Sequence, residues 1–472
     1  MHRRVKFFEL NDGNLFLYHT SISLDMTQIR KRSPKLRFEY VPAQKQSTLG
    51  GLPALEALAQ RFGLWTKLRA LPGLDPRVRP TRGYSPELIV GQLLYAFCSG
   101  GASLADAERL NDEPLARQLA RVEHFADQTQ LGEWLRKQTD ASIAAVWGLL
   151  REFVQWVIGQ AQASRWTYAG RAEVFFDDTQ IEVYGPSFEG AQVNYNGDRA
   201  LSWQTLWFGP FLLAGQLGSP GDVSRALPTM LQEQRAFWQD RPSDFLADSG
   251  SSRATYLQAI AAAGFTHWSV SYNQWTAVAE RTAAALPETA WHAAPQTRWR
   301  DGTAVTEHHA DIRHTPEGSD FTFPLAVARW KKDGDLFWRY AFVAHEEGRT
   351  DAAAVMARHR LKGSTEQLFK EVLRGLDLHH PPCESLTANR MFYAIAALAY
   401  DLMKAVQLLC LPEECQGWTV PTLLKQMVRL PARLIRHARQ WVVRVEVAAS
   451  WLNWWRQWET RWWQVTPRPA TG

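Results

Sequence analysis

The sequence predicts an α/β protein with a helical N-terminal region, a β-rich segment set into the α/β core, and a basic helical C-terminal segment. Three observations carry that expectation. Residues from about Thr48 to Gln162 follow helical periodicity. From Ala172 the chain reads as strands first and then as strand and helix in alternation, the pattern of an α/β core. From about Asn273 to His345 it becomes β-like and rich in Trp. A chain of 472 residues exceeds one comfortable core, so several regions are expected. They fall at 1–165, 166–272, 273–346, 347–411 and 412–472.

In the first region SPELIVGQLLYAF starts with Ser85 as N-cap and Pro86 at the first helical position. DQTQLGEWLRK offers Thr129 as a second cap. Short helices joined by tight turns suit a DNA-reading module and, with equal claim, a plain helical bundle. EVFFDD, QIEVYG and TLWFGPFLLAGQL then read as three strands. A helix follows from Val223 to about Asp240. Next come a strand in DFLADSG, a helix in SSRATYLQAIAAAG closed by Gly264, and a strand in THWSVSY. VARWKKDGDLFWRYAFVAH signals a hairpin around Asp333-Gly334. Helix returns at Asp351, and STEQLFKEVLRG runs from near Ser364 to Gly375. The apolar run from Met391 approaches membrane-span length, but Asp401 and Lys404 interrupt it, so a buried helix of a soluble core is expected.

Lys plus Arg exceeds Asp plus Glu by 53 to 48, too small a net +5 to imply a partner by itself. Its distribution says more. Basic residues crowd HRRVK and IRKRSPKLR near the N-terminus, and Lys425, Arg429, Arg433, Arg436, Arg439 and Arg444 recur at near-helical spacing. Such stripes suit a polyanion such as DNA, or a solvated helix face. Four cysteines make no disulfide framework, which favours a reducing cytoplasm. No apolar stretch of the signal-peptide kind opens the chain, and no membrane partner is expected. The 22 tryptophans fit aromatic cores or base stacking, and composition does not separate the two.

The chemistry concentrates in carboxylates. The run Val174, Phe175, Phe176 suits a buried strand, yet it ends on Asp177 and Asp178. An unpaired buried carboxylate costs several kcal/mol unless a partner or metal neutralises it. Asp248 ends a later strand immediately before a helix, and Glu366 lies in the first turn of another helix, four residues before Lys370. Each acid alone has an ordinary explanation as a turn former or helix cap. Together, two strand-end acids and one helical acid can meet at a sheet rim. Their oxygen-only donor set suits Mg²⁺ or Mn²⁺.

These residues resemble the DDE transposases of bacterial insertion sequences, in particular the group-one transposase domain with a β-rich insertion. DDTQIEVYG resembles that family's D-x-T element and V-Y-G turn, and LADSGS its A-D-S stretch. HRLKGSTEQLFK, from His359 to Lys370, resembles its Y-R-x-R-G-x-x-E-N-x-x-K segment. ALAYDL is similar to the family's L-A-Y-N-L, GASLADAERLNDEP to its early G-x-x-x-x-D-A-x-x-L-x-x-D-P stretch, and VRLPARLIRHARQ to its basic tail. The matches follow the family's order over nearly the whole chain.

The resemblance implies an RNase H-like core interrupted by the β-rich insertion, with Asp177, Asp248 and Glu366 as catalytic metal ligands. Asp178 is the alternative first ligand, although successive strand side chains face opposite sides. Lys370, Arg360, Lys362 and His359 would face DNA. His359, Lys362 and Gln367 depart from the Tyr, Arg and Asn usual at those places. The implied activity is two-metal cleavage at the inverted-repeat ends of an insertion sequence and strand transfer into target DNA, by a homodimer on duplex DNA at the nucleoid. Two alternatives are a stand-alone metal-dependent nuclease and a catalytically inactive transposase-derived DNA-binding protein.

HHPPC (His379 to Cys383), CLPEEC (Cys410 to Cys415) and EHHADIRH (Glu307 to His314) invite a metal reading. Their spacing favours buried reduced cysteines and an exposed strand instead. Trp291 and Trp299 suit either stacking on an extruded base or packing within the insertion.

Overall fold

The first third of the chain is helical because its polar residues fall where helices need caps. In a computed structural model, α1 (Leu52–Phe62), α2 (Leu64–Ala70), α3 (Pro86–Cys98), α4 (Leu104–Glu108), α5 (Pro114–Ala120), α6 (Gln128–Arg136) and α7 (Asp140–Ile158) follow one another. The structure describes residues 45–273, 276–295, 297–298, 301–364, 366–437 and 440–465, with a backbone hairpin of β1 (Phe8–Asn11) and β2 (Asn14–Leu17) before them. Side chains at 276, 297–298, 364, 366–367 and 462–464 lie outside this description. Ser103 with Asp106, and Thr139 with Ser142, form reciprocal capping boxes at α4 and α7. Pro86 starts α3 after Ser85, as expected. The cap of α6 is Asp127, boxed with Gln130, not Thr129. A carboxylate one residue before Gln128 reaches the free N–H groups, whereas Thr129 already lies inside the helix.

The sheet strands are β4 (Thr167–Tyr168), β5 (Arg171–Glu182), β6 (Gln192–Val193), β7 (Arg199–Phe208), β8 (Phe211–Gly218), β9 (Ser243–Ala247), β10 (His267–Tyr272), β11 (His292–Ala293), β12 (Thr297–Arg298), β13 (Ala304–His314), β14 (Phe323–Lys332) and β15 (Arg339–His345). They form one mixed sheet, in the order β11-β13-β14-β15-β10-β9-β5-β7-β6, with β8 also on β7. β5 runs parallel to β9 and β9 to β10, while β7 is antiparallel to β5. EVFFDD and QIEVYG are thus not two strands. β5 runs unbroken from Arg171 to Glu182, because β7 pairs with it along the whole length from Val174 to Glu182.

The β-rich segment also differs from a free-standing module. β15 pairs with β10, so β13 to β15 extend the same sheet. That segment contains α10 (Thr276–Ala284), a helix that the sequence pattern does not predict. The Asp333-Gly334 turn joins β14 to β15 as expected, with Gly334 at φ 92°, a backbone angle that glycine tolerates.

Helices cover both faces. On one face Trp203 meets Tyr393, and Trp207 meets Phe369 and Tyr400. These bring α12 (Glu366–Gly375) and α13 (Leu386–Leu409) against it. Next to them lies α11 (Ala352–Arg360), capped by Asp351. The other face carries α8 (Leu227–Gln234) and α9 (Ala254–Ala262), with Trp238 and Phe245 stacked on Phe265. α13 is long and apolar enough to cross a membrane, as is α7, yet 94% of the apolar window of α13 is buried inside the fold. That agrees with the expected core helix. Asp401 within it accepts the Leu212 backbone N–H at 3.0 Å, and burial pushes its carboxyl well above the usual range.

The C-terminal region is not simply a basic helical segment. After α14 (Val420–Leu423), residues Ala432–His437 form β16 and Gln440–Val445 form β17. This hairpin pairs with β3 (Gln46–Ser47), and only then comes α15 (Leu452–Gln464). Buried Ala432 and Leu434 alternate with exposed Arg433, a period of two that the arginine spacing had masked. Arg429 caps the end of α3 by donating to Ser99 O at 2.7 Å and Gly100 O at 3.1 Å. The N-terminal basic runs and Arg439 lie outside the described residues.

Candidate active site at the ends of two parallel strands

Phe176 on β5 stands opposite Ala247 on β9 in the last parallel pair. One residue further along each strand stand Asp177 and Asp248. Phe245 stacks on Phe265 of the α9 face, so the pleat turns Asp248 to the opposite side. Asp177 lies across from Thr205, and two residues from Thr205 is Trp207, whose ring meets Phe369 of α12. Both acids therefore belong to the sheet face that carries α12, the helix beginning at Glu366.

Electrostatics agree with that geometry. Burial, with the Asp248 charge as the next cause, pushes the Asp177 carboxyl from its ordinary 3.8 to about 7, while Lys362 pulls the other way. Asp178 faces the other side. Its carboxylate accepts from Ser202 Oγ and, at 2.5 Å, from Gln180 Nε2. Burial raises its pKa, and these two hydrogen bonds oppose the rise. Asp248 itself accepts the Gly250 N–H at 2.9 Å through Oδ1, the ordinary cap expected at the start of a helical turn.

The remaining expected residues divide. The Glu366 side chain lies outside the described residues, as does that of Gln367. Lys362 is half-buried within electrostatic reach of Asp177, and Lys370 is exposed on α12. Arg360 is half-exposed and donates to Glu307 at 2.6 Å. His359 departs from its expected place toward DNA. It is 8% exposed, and its ring sits between Ser269 Oγ at 2.9 Å and Ser271 Oγ at 2.7 Å. Burial, aided by the charges of Lys362, Arg358 and Arg360, depresses its pKa to about 4, so the ring is neutral. No simple sequence pattern marked Ser202, Gln180, Ser269 or Ser271. Their period of two along β7, β5 and β10 is the signal that would have shown them sharing faces.

Among the described residues no group of three His, Cys, Asp or Glu side chains stands ready to hold a metal. Cys98, Cys383, Cys410 and Cys415 are free and buried, in line with the structural reading of HHPPC and CLPEEC. In EHHADIRH, Glu307 bonds His309 at 2.5 Å, while His314 bonds Tyr272 at 2.8 Å, so the stretch is a mostly buried strand within the sheet and not the exposed one expected. Trp291 is buried, with the Arg329 guanidinium 4.2 Å from its ring centre. That is packing within the segment. Trp299 lies outside the described residues. The donor chemistry at the strand ends nonetheless fits a hard divalent cation, since paired partly buried carboxylates repel each other until a cation or proton neutralises one.

The fold and site define a class: a mixed α/β protein with acids at the ends of two adjacent parallel strands, on the sheet face against which α12 packs. The chain belongs to the transposase DDE domain group 1 family, whose sequence profile matches residues 42–460. Comparison with curated proteins gives no match.

Proposed function

We propose that this chain is a DNA transposase that binds the terminal inverted repeats of an insertion sequence, cuts at the element boundary and joins the freed ends to target DNA. The observation that carries the reading is the convergence of Asp177 and Asp248 on the α12 face in a chain of this family. Strand order β8-β7-β5-β9-β10, with β7 antiparallel to both β8 and β5 and the other four strands running one way, supports an RNase H-like core. The segment holding β11 to β15 would be its insertion.

Asp177, Asp248 and Glu366 would hold Mg²⁺ or Mn²⁺. Such ions, when bound, lower the pKa of water and neutralise charge at a scissile phosphate. With such an ion bound, Asp177 would be held in its ionised form rather than protonated. Asp178 is kept out of the set by Ser202 and Gln180. Lys362 and Lys370 would hold DNA phosphates beside the cut, and Arg360, kept on Glu307, would add its positive charge there. The element's 3′-hydroxyl would then attack a target phosphodiester in line, forming a new P–O bond as the target strand's 3′-oxygen leaves.

Phosphate binding also has support in the C-terminal hairpin. Arg433 and Arg444 lie directly opposite each other on exposed strand positions. Like charges so placed destabilise a hairpin unless an anion lies between them. Two element ends must be held at once, so the acting species would be a homodimer on duplex DNA.

The test is a supercoiled plasmid carrying paired element ends, incubated with Mg²⁺ or with EDTA. Magnesium-dependent excision with strand-transfer products is expected. Cuts without joined products would instead identify a stand-alone nuclease, and end binding without cuts an inactive DNA-binding relative.

A further inference from the structure

The last turn of α11 commits three consecutive side chains to different strands. Arg358 donates through Nε to Asp244 of β9 at 3.0 Å and through Nη2 to Glu173 of β5 at 2.5 Å. His359 reaches β10 and is bonded at both ring nitrogens, to Ser269 and Ser271. Arg360 reaches Glu307 of β13 at 2.6 Å. Successive helical residues project about 100° apart, so three such anchors fix the rotation and the height of the helix end together. The apolar packing of α11, through Ala352, Val355 and Met356 against small sheet residues, would allow sliding. Polar anchors with fixed partners do not.

Past this turn the chain approaches the acids. Residues Leu361–Ser364 form a short 3-10 turn bearing Lys362, and α12 begins at Glu366. Beyond it stands a second buried anchor. Glu371 on α12 and Lys404 on α13 meet at 2.7 Å, each with a side chain only 8% exposed. Lys404 also donates to Gln407 at 3.3 Å, and the Gln407 amide holds the carbonyls of Cys415, Gln416 and Trp418. A buried ion pair gives little net stability over an apolar pair of similar volume. Here it fixes which face of α12 turns toward α13. Glu371 lies five residues into α12, so pinning it fixes the rotation of that helix about its axis.

On the premise that the strand-end acids hold a divalent cation, we propose that His359 and the Glu371–Lys404 pair are positioning residues, holding Lys362 and helix α12 on the sheet face of Asp177 and Asp248. His359 occupies a place where the resembling family usually carries Tyr, and its ring has no free nitrogen for a phosphate. It is a strut from the sheet to the segment bearing the third acid.

The experiment uses the full chain with three changes: His359→Phe, which keeps bulk and removes both hydrogen bonds; His359→Gln, which restores a donor and an acceptor; and Glu371→Leu with Lys404→Met, which removes both charges. Free Mn²⁺ is titrated by electron paramagnetic resonance. Repeat-DNA affinity, melting temperature and cleavage are measured beside it. His359→Phe and the double change should each weaken Mn²⁺ binding and cleavage roughly 10-fold or more, with DNA affinity retained and most of the loss recovered in His359→Gln. The double change carries the test should His359→Phe fail to fold. Wild-type Mn²⁺ affinity and cleavage in the folded variants would overturn the positioning role. So would loss of DNA affinity with Mn²⁺ binding intact, which would make His359 a DNA contact. A wild-type chain that binds no Mn²⁺ would instead overturn the cation premise itself.

Discussion

Of the strand-end acids, Asp177 departs furthest from ordinary carboxyl chemistry. With its pKa raised to about 7, the folded chain keeps a proton that the unfolded chain loses near its ordinary 3.8. The unfolded state therefore binds fewer protons between those values, and stability falls as pH rises through that window. The loss at pH 8 without metal is at most about 4 kcal/mol. Asp177→Asn should accordingly raise the melting temperature in EDTA at pH 8 and leave it nearly unchanged below about pH 4. Adding Mn²⁺ should stabilise the wild type more at pH 8 than at pH 6, and the variant little at either, as followed by differential scanning calorimetry. Asp177, Asp248 and Glu366 stand out in the sequence as an ordered set. There Asp177 is preferred to Asp178 on the resemblance alone, because the face of β5 that meets α12 depends on strand pairing far along the chain. Likewise His359 was expected to face DNA, and its partners Ser269 and Ser271 lie on β10, some ninety residues earlier.

Elements were legible where their periodicity was long and their caps local. The helices of the first third, the β9–α9–β10 alternation and the apolar core helix all appear close to where their patterns placed them. Three did not. QIEVYG continues β5 because the neighbouring strand β7 carries the pairing onward, a tertiary effect. α10 lies in a stretch whose flanking tryptophans suggested strand. β16 and β17 hid behind arginines at near-helical spacing, whereas their partner β3 lies near the other end of the chain. The packing of α12 is testable at this scale. Phe369 is 7% exposed, with its ring centre 5.2 Å from that of Trp207. Phe369→Ala should cost about 3–5 kcal/mol by urea denaturation. It should also weaken Mn²⁺ binding, because α12 then loses its seat above Asp177.

For the whole molecule the charge distribution matters more than the net +5. The N-terminal part and the C-terminal hairpin share one small sheet through β3 and β16, so the cations of the hairpin are held by both ends of the chain. Arg433→Gln and Arg444→Gln should each weaken duplex binding. Each should also lower the slope of log affinity against log salt by about 0.9 for every DNA phosphate left without its arginine. In the absence of DNA neither should lower the melting temperature, since the facing arginines repel. Filter binding or fluorescence anisotropy over a salt series reads the first effect, and thermal melting the second.

The most direct measurement is cleavage of a labelled duplex bearing the flanking terminal repeat, in Mg²⁺ or EDTA, by the wild type and by Asp248→Ala. Magnesium-dependent cuts at the element boundary, absent from the variant while its DNA binding persists, are the expected result. Cutting that survives Asp248→Ala would contradict the assignment of the strand-end acids.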